Sequence, residues 1–254
     1  MKLDDIFLEL DLYGYSVVND YDIDKNIISN LIKSHKNCLR DNCEFTDNNY
    51  SGGYLIGWNN KLSSKKNFSD TYLKKFIESN FVSSILNSER FKNYNLGSVF
   101  ATLDTPKSKH IAQAPHFDRI PNLKFMIYLN DIDASNGAFM LSPGSHNWVK
   151  KEFPIPRPPF VSKKFLDKSR EIPSVIIEKL SPVVGKAGTI IIFDTDTVHH
   201  QGLVPKGETR IIRFHFTPPG RLNKFYSLRE RVGTYIKPIK SKFKKVFLLE
   251  NLNN

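Results

Sequence analysis

Apolar positions along the chain change their period near residue 95. Before that point they recur every three to four residues, and the stretches Leu3–Leu10, Ile23–Lys36 and Thr71–Leu86 read as helices with one buried stripe. The last follows Ser69-Asp70, residue types that accept hydrogen bonds from a helix's first free N–H groups. Gly14 followed by Tyr15-Ser-Val-Val reads as a turn running into a strand. Beyond Leu96 the apolar runs shorten to strand length: Ser98–Leu103, Phe125–Leu129, Ala138–Leu141, Thr189–Phe193 and Arg210–Phe216. Turn pairs such as Asn136-Gly137, Pro143-Gly144 and Lys206-Gly207 punctuate them, and no helical pattern intervenes, so the strands predict an antiparallel sandwich or barrel.

Two segments break this rhythm. Asp47–Ser64 is rich in Asn, Ser and Gly and reads as a loop beside a site. Lys151–Lys179 carries five prolines and many charges; a segment that long within a compact domain predicts a lid over a pocket. The expected organisation is one domain over 1–254: an α-rich part to residue 95, a β core over 96–220 interrupted by the 151–179 insertion, and a basic tail over 221–254.

Composition adds limits. Hydrophobic residues make up 40% and charged residues 25% of 254, ordinary for a globular chain with a real core. No run reaches the ~20 apolar residues of a membrane span, and the acidic start Met1-Lys-Leu-Asp-Asp is unlike a signal peptide, so a cytoplasmic location is expected. Cys38 and Cys43, close together in a polar stretch, make no disulfide framework and lack partners for a zinc site. The net charge of +11 is concentrated after residue 220, which favours an anionic small-molecule substrate over a neutral one or makes a solvated end. Nucleic acid is not an expected partner.

The chemistry centres on Gln113-Ala-Pro-His116-Phe-Asp118. Alternate residues of an extended segment share a face, so His116 and Asp118 project together while Phe117 turns away. By itself His-x-Asp is a weak signal. Downstream, however, the strand Thr189–Phe193 leads to Asp194-Thr-Asp-Thr-Val-His199-His200, which offers a third ligand at a strand end. Two imidazoles and a carboxylate on one side of an ion form the facial set of non-haem iron(II) oxygenases, which leaves positions open for chemistry. Beyond it lie Arg210 and Arg213, either of which supplies the planar fork that grips a carboxylate, as a 2-oxo acid cosubstrate requires.

In order and spacing, Pro115-His-Phe-Asp118, Tyr128-Leu-Asn-Asp-Ile-Asp-Ala-Ser-Asn136-Gly137, Ser142-Pro-Gly-Ser-His146, Gly188–Asp194, His199 and Arg210 resemble the phytanoyl-CoA dioxygenase family. The resemblance covers about Ser98 to Phe216 and implies a double-stranded β-helix, the cupin-like jelly roll, with helices flanking one sheet. It further implies iron(II) held by His116, Asp118 and His199, with 2-oxoglutarate and dioxygen as cosubstrates and Arg210 on the distal carboxylate. His199 is preferred to His200, and Arg210 to Arg213, because His199 stands eleven residues before Arg210, the spacing that the family favours. His146, His110 and His215 are read as structural, and Trp58 and Trp148 as packing.

The function so implied is hydroxylation of an unactivated carbon in a small, anionic molecule, with release of succinate and carbon dioxide. The carboxylate at Asp118 favours hydroxylation or desaturation over halogenation, because related halogenases carry a small residue there. A non-catalytic jelly roll that binds an anionic ligand is the alternative, opposed by candidates at all four positions. A zinc hydrolase on the same ligands lacks a general base and leaves Arg210 unexplained.

Overall fold

The computed structural model describes residues 2–19, 21, 23–42, 54–58, 71–106, 108, 113–118, 121–154 and 171–218. His110, the 221–254 tail, the Ser69-Asp70 cap and most of the 151–179 insertion lie outside them. Helix α1 (Leu3–Leu12) starts where Asp5 accepts from the Lys2 N–H, and it buries Ile6 and Leu10, one turn apart. Strand β1 (Tyr15–Val18) follows, then α2 (Lys25–Asn42), which buries Ile28, Leu31 and His35 at helical spacing. The stretch read as one helix over Thr71–Leu86 is two, α3 (Thr71–Ile77) and α4 (Asn80–Leu86). Ser79 divides them: in an extended conformation it accepts from the Val82 N–H and caps α4. Strand β2 (Tyr54–Trp58) runs through a stretch expected to be loop.

The remaining strands are β3 (Asn95–Asp104), β4 (Leu123–Tyr128), β5 (Phe139–Leu141), β6 (Ser181–Val183), β7 (Ile190–Asp194), β8 (His199–His200) and β9 (Thr209–Thr217). Short helices α5 (Ser145–Glu152) and α6 (Ser174–Ile177) precede β6. All described pairings are antiparallel, in a larger sheet ordered β1-β7-β4-β9-β3-β2 and a smaller one ordered β6-β5-β8. Together they form the jelly roll expected from the sequence, with its helices on one face of the larger sheet.

The period of two along each strand sorts residues between two cores. Phe125, Ile127, Ile190, Ile192, Ile212, Phe214 and Phe216 face α1–α4. Met126, Tyr128, Ile191, Phe193 and Ile211 face the smaller sheet across the barrel interior, against Phe139 and Leu141. A third cluster, Phe117, Val149, Phe153, Ile172, Ile176 and Val198, packs α5 and α6 behind the segment that leads into β8.

Ser142-Pro-Gly-Ser-His146 fastens that segment. The Ser142 N–H donates to Val198 O at 2.9 Å, and Ser145 Oγ accepts from the Val198 N–H at 2.8 Å, so both backbone groups before His199 are held. His146 sits in the first turn of α5, 3.1 Å from Asp11 O, and packs on Gly14. It is a structural residue, as expected, and lies outside the metal-ligand candidates. Gly14 itself has φ +83°, and its carbonyl receives bonds from Thr197 Oγ1 and the Asp194 N–H, both at 3.0 Å.

Two predictions follow from this packing. A Cβ at Gly14 would collide with Thr197 Oγ1 and stand 2.6 Å from His146 Nδ1, whereas at Gly207, also at positive φ, the nearest atom is 3.8 Å away. Gly14→Ala should therefore cost ~2 kcal/mol or more, a fall of roughly 4–8 °C in Tm, and Gly207→Ala clearly less in the same thermal melts. The second concerns His35, on the buried face of α2 with Nε2 3.2 Å from Thr102 O of β3. Burial, then the charge of Arg210, lowers its pKa to about 4. An unfolded histidine titrates near ~6.5, so on acidification the unfolded chain takes up this proton first, and stability falls as pH drops from ~6.5 toward 4. The loss attributable to this group is ~3 kcal/mol, and urea titrations of His35→Gln should show a shallower decline across that window.

Candidate metal centre

His116 and His199 meet across an isolated antiparallel bridge, with His116 N to His199 O at 3.0 Å and His199 N to His116 O at 2.7 Å. Two residues on, the Asp118 N–H donates to Thr195 O at 3.0 Å, which holds Asp118 against the segment that leads to His199. His116 and Asp118 therefore share a face, as the alternation predicted. Phe117 points away, its ring 4.9 Å from Phe153. On the other side of the bridge, His199 pairs with Leu141 of β5 and points inward with it, while His200 pairs with Met140. His199 is 3% exposed, between the rings of Phe139 and Phe193.

One donor atom from each of His116, Asp118 and His199 lies within 4.8 Å of the others. Both imidazoles are oriented by their own backbone: His116 Nδ1 donates to Ala114 O at 2.8 Å and His199 Nδ1 to Thr197 O at 2.7 Å. A carbonyl only accepts, so the proton sits on Nδ1 and the neutral ring presents the Nε2 lone pair. That is the tautomer a metal ligand needs, with its orientation set from behind. Burial, then the neighbouring His116, pushes the pKa of His199 well below the ordinary value, so the ring stays neutral under acid. A donor set of two neutral imidazoles and a carboxylate fits a divalent transition metal.

Asp118 divides its oxygens. Oδ1 is 3.7 Å from His199 Nε2, and Oδ2 is 2.5 Å from the ammonium of Lys124. Burial raises the carboxyl pKa, but the ammonium of Lys124 together with the neighbouring His199 and His116 outweighs it and leaves the group ionised well below the usual carboxylate range. Lys124 is the second residue of β4, 8% exposed at its side chain, and shares the interior face with Met126 and Tyr128. The sequence reading passed over it, although a lysine within the apolar run Leu123-Lys-Phe-Met-Ile-Tyr128 is itself a signal: only a buried partner makes such a position tolerable.

Arg210 is not brought to this cluster. It has the parity of Ile212, Phe214 and Phe216, which face the helices, and it forms a two-pronged pair with Glu208 at 2.6 and 3.1 Å. Arg213 has the parity of Ile211 and faces the interior, two residues along β9 from His215, which pairs with Lys124. Its Nη2 donates to Thr102 Oγ1 at 3.2 Å, while its buried Nε has no hydrogen-bond partner among the described residues. His215 is held well below its ordinary pKa, by burial first and then by the charge of Lys124.

Known proteins resemble the chain in both sequence and shape. The family model described as "Phytanoyl-CoA dioxygenase (PhyH)" matches residues 59–202, more than half the chain and including all three proposed ligands. No curated protein matches by sequence. Among solved structures, the epimerase SnoN, in complex with Fe3+, alpha ketoglutarate and a nogalamycin, superposes with a TM-score of 0.63 at 15% identity over 85% of this chain and 83% of that one. EctD from S. alaskensis with bound Fe gives 0.57 at 14% over 86% and 77%. HygX from Streptomyces hygroscopicus with nickel and 2-oxoglutarate gives 0.56 at 13% over 86% and 87%. At such identities these likenesses establish the shared fold. With the family match across residues 59–202, the chain belongs to the phytanoyl-CoA dioxygenase family of iron(II)- and 2-oxoglutarate-dependent oxygenases.

Proposed function

We propose that the protein is an iron(II)- and 2-oxoglutarate-dependent hydroxylase of a small, anionic organic molecule, with His116, Asp118 and His199 as metal ligands. The observation that carries this reading is the convergence of one donor atom from each of His116, His199 and Asp118 beside one strand bridge. When bound together, iron, 2-oxoglutarate and dioxygen supply an oxidant for an unactivated carbon, with succinate and carbon dioxide as co-products.

The chain's own contribution is placement. His116 Nε2, His199 Nε2 and one oxygen of Asp118 would hold the ion. Arg213, in place of Arg210, would take the distal carboxylate of the cosubstrate: its buried Nε lacks a partner among the described residues and its guanidinium faces the barrel. Phe139 and Phe193, packed against His199 tilted and edge-on, keep water from its back. The inner wall carries Lys124 and Arg213 and so favours anions, which supports an anionic substrate as well as the cosubstrate. The known structures support small organic substrates as a class, since HygX has also been solved with hygromycin B bound. Among the described residues no helix is long and apolar enough to cross a membrane, and iron(II) chemistry goes with the reducing cytoplasm expected from the sequence.

Three sets of variants test the assignments by titration of metal and 2-oxoglutarate and by succinate release. Asp118→Ala and His116→Ala should lose turnover; full succinate release by Asp118→Ala would refute the ligand set. His199→Ala should lose the metal while His200→Ala keeps it, because the two side chains point to opposite faces. Arg213→Ala should weaken 2-oxoglutarate by about 2–4 kcal/mol, roughly 30- to 1,000-fold in Kd, with Arg210→Ala near wild type. Reversed effects would return the anchor to Arg210.

A further inference from the structure

Lys124 is an interior cation to which the reading above gives no specific task. Burying an ammonium costs several kcal/mol unless a partner compensates, and a methionine or leucine would fill the same place in β4 without that cost. The partner is specific. The ammonium lies 2.5 Å from Asp118 Oδ2 and 5.7 Å from the centroid of the Phe193 ring, so it is held between a carboxylate and an aromatic face. The other oxygen, Oδ1, remains on the His199 side at 3.7 Å from Nε2.

A carboxylate can bind one metal through either one or both of its oxygens. With two histidines and a two-oxygen aspartate, an octahedral ion has two positions left, and a chelating 2-oxo acid fills them. Dioxygen then has no site. With a one-oxygen aspartate, three positions remain, enough for both. We propose that Lys124 is a positioning residue: by occupying Asp118 Oδ2 it confines the carboxylate to one-oxygen binding and so keeps a coordination position open. This rests on the iron and 2-oxoglutarate reading above, and it gives the buried ammonium a reason to be there. The cation also draws electron density from Asp118 and repels the metal, so the wild-type set holds the ion no more tightly than the aspartate alone would.

The test uses the full-length protein under anaerobic conditions, with Mn(II) as the metal and calorimetry and water-proton relaxation as the readouts. Lys124→Met removes the charge and keeps the bulk, and Lys124→Arg keeps a cation. Two cosubstrates are compared, 2-oxoglutarate and 2-oxopentanoate, which lacks the distal carboxylate. Lys124→Met should bind one Mn(II) at least as tightly as wild type and still chelate both 2-oxo acids, but water-proton relaxation should find no exchangeable water on its Mn(II)–2-oxo acid complex, where the wild-type complex keeps one, with that water regained in Lys124→Arg. A crystal structure of Mn(II)-loaded Lys124→Met should have both Asp118 oxygens on the metal, against one in wild type. A wild-type water relaxation signal in the Lys124→Met complex would overturn the proposal, as would a loss of affinity confined to 2-oxoglutarate, which would mean that Lys124 touches the distal carboxylate instead. Should Lys124→Met fail to fold, the Mn(II)-loaded wild-type structure decides alone, because a two-oxygen Asp118 there overturns the proposal. Wild-type protein that takes up no metal refutes the iron reading itself, and this proposal with it.

Discussion

The pair of backbone hydrogen bonds between His116 and His199 is the constraint from which the centre follows. It joins two segments far apart in sequence, and its register decides which side chains meet. A slip of one residue would exchange His199 for His200 and turn Phe117 inward in place of its neighbours, since alternate residues face opposite sides. The register is held from several directions: Asp118 N on Thr195 O, Val198 gripped by Ser142 and Ser145, and Thr197 tied to Gly14. The Pro-Gly-Ser-His turn thus acts on the centre through Val198 and supplies no ligand to it.

A second constraint is charge. The inner wall of the barrel carries Lys124 and Arg213 in a space otherwise lined by the neutral imidazole of His215 and by Met126, Tyr128, Ile191 and Phe193. Buried like charges are unfavourable unless anions are supplied. Asp118 supplies one, and a bound dicarboxylate would supply the next. On this account the same wall that destabilises the empty barrel selects what fills it, and a substrate carrying its own negative charge fits the same economy of charge.

Much of this was legible in the sequence. The period change near residue 95 separated helices from strands, and His116, Asp118 and His199 stood out because strand alternation and the downstream strand end place them together. Other features were not legible. Strand β2 lies among Asn, Ser and Gly, where composition argues for loop and only pairing with β3 argues for strand. The two-residue β8 is too short for any periodicity and exists through its bridges to β5 and to His116. The choice between Arg210 and Arg213 went to spacing, although the parity was available: Ile212, Phe214 and Phe216 alternate with Arg213 and His215, and Arg210 keeps the apolar parity. Because helices cover one face of this sheet and the smaller sheet covers the other, both faces are buried, and polarity at residue 210 does not by itself say which way it points.

The central claim is that one ion sits between His116, Asp118 and His199 with a 2-oxo acid reaching from it to the inner wall. The most direct measurement is an anaerobic crystal structure of the wild-type protein with iron(II) and 2-oxoglutarate. The account predicts iron on His116 Nε2, His199 Nε2 and one oxygen of Asp118, with the distal carboxylate of 2-oxoglutarate on the Arg213 guanidinium. Iron bound elsewhere, or a carboxylate seated on Arg210 outside the barrel, would contradict it.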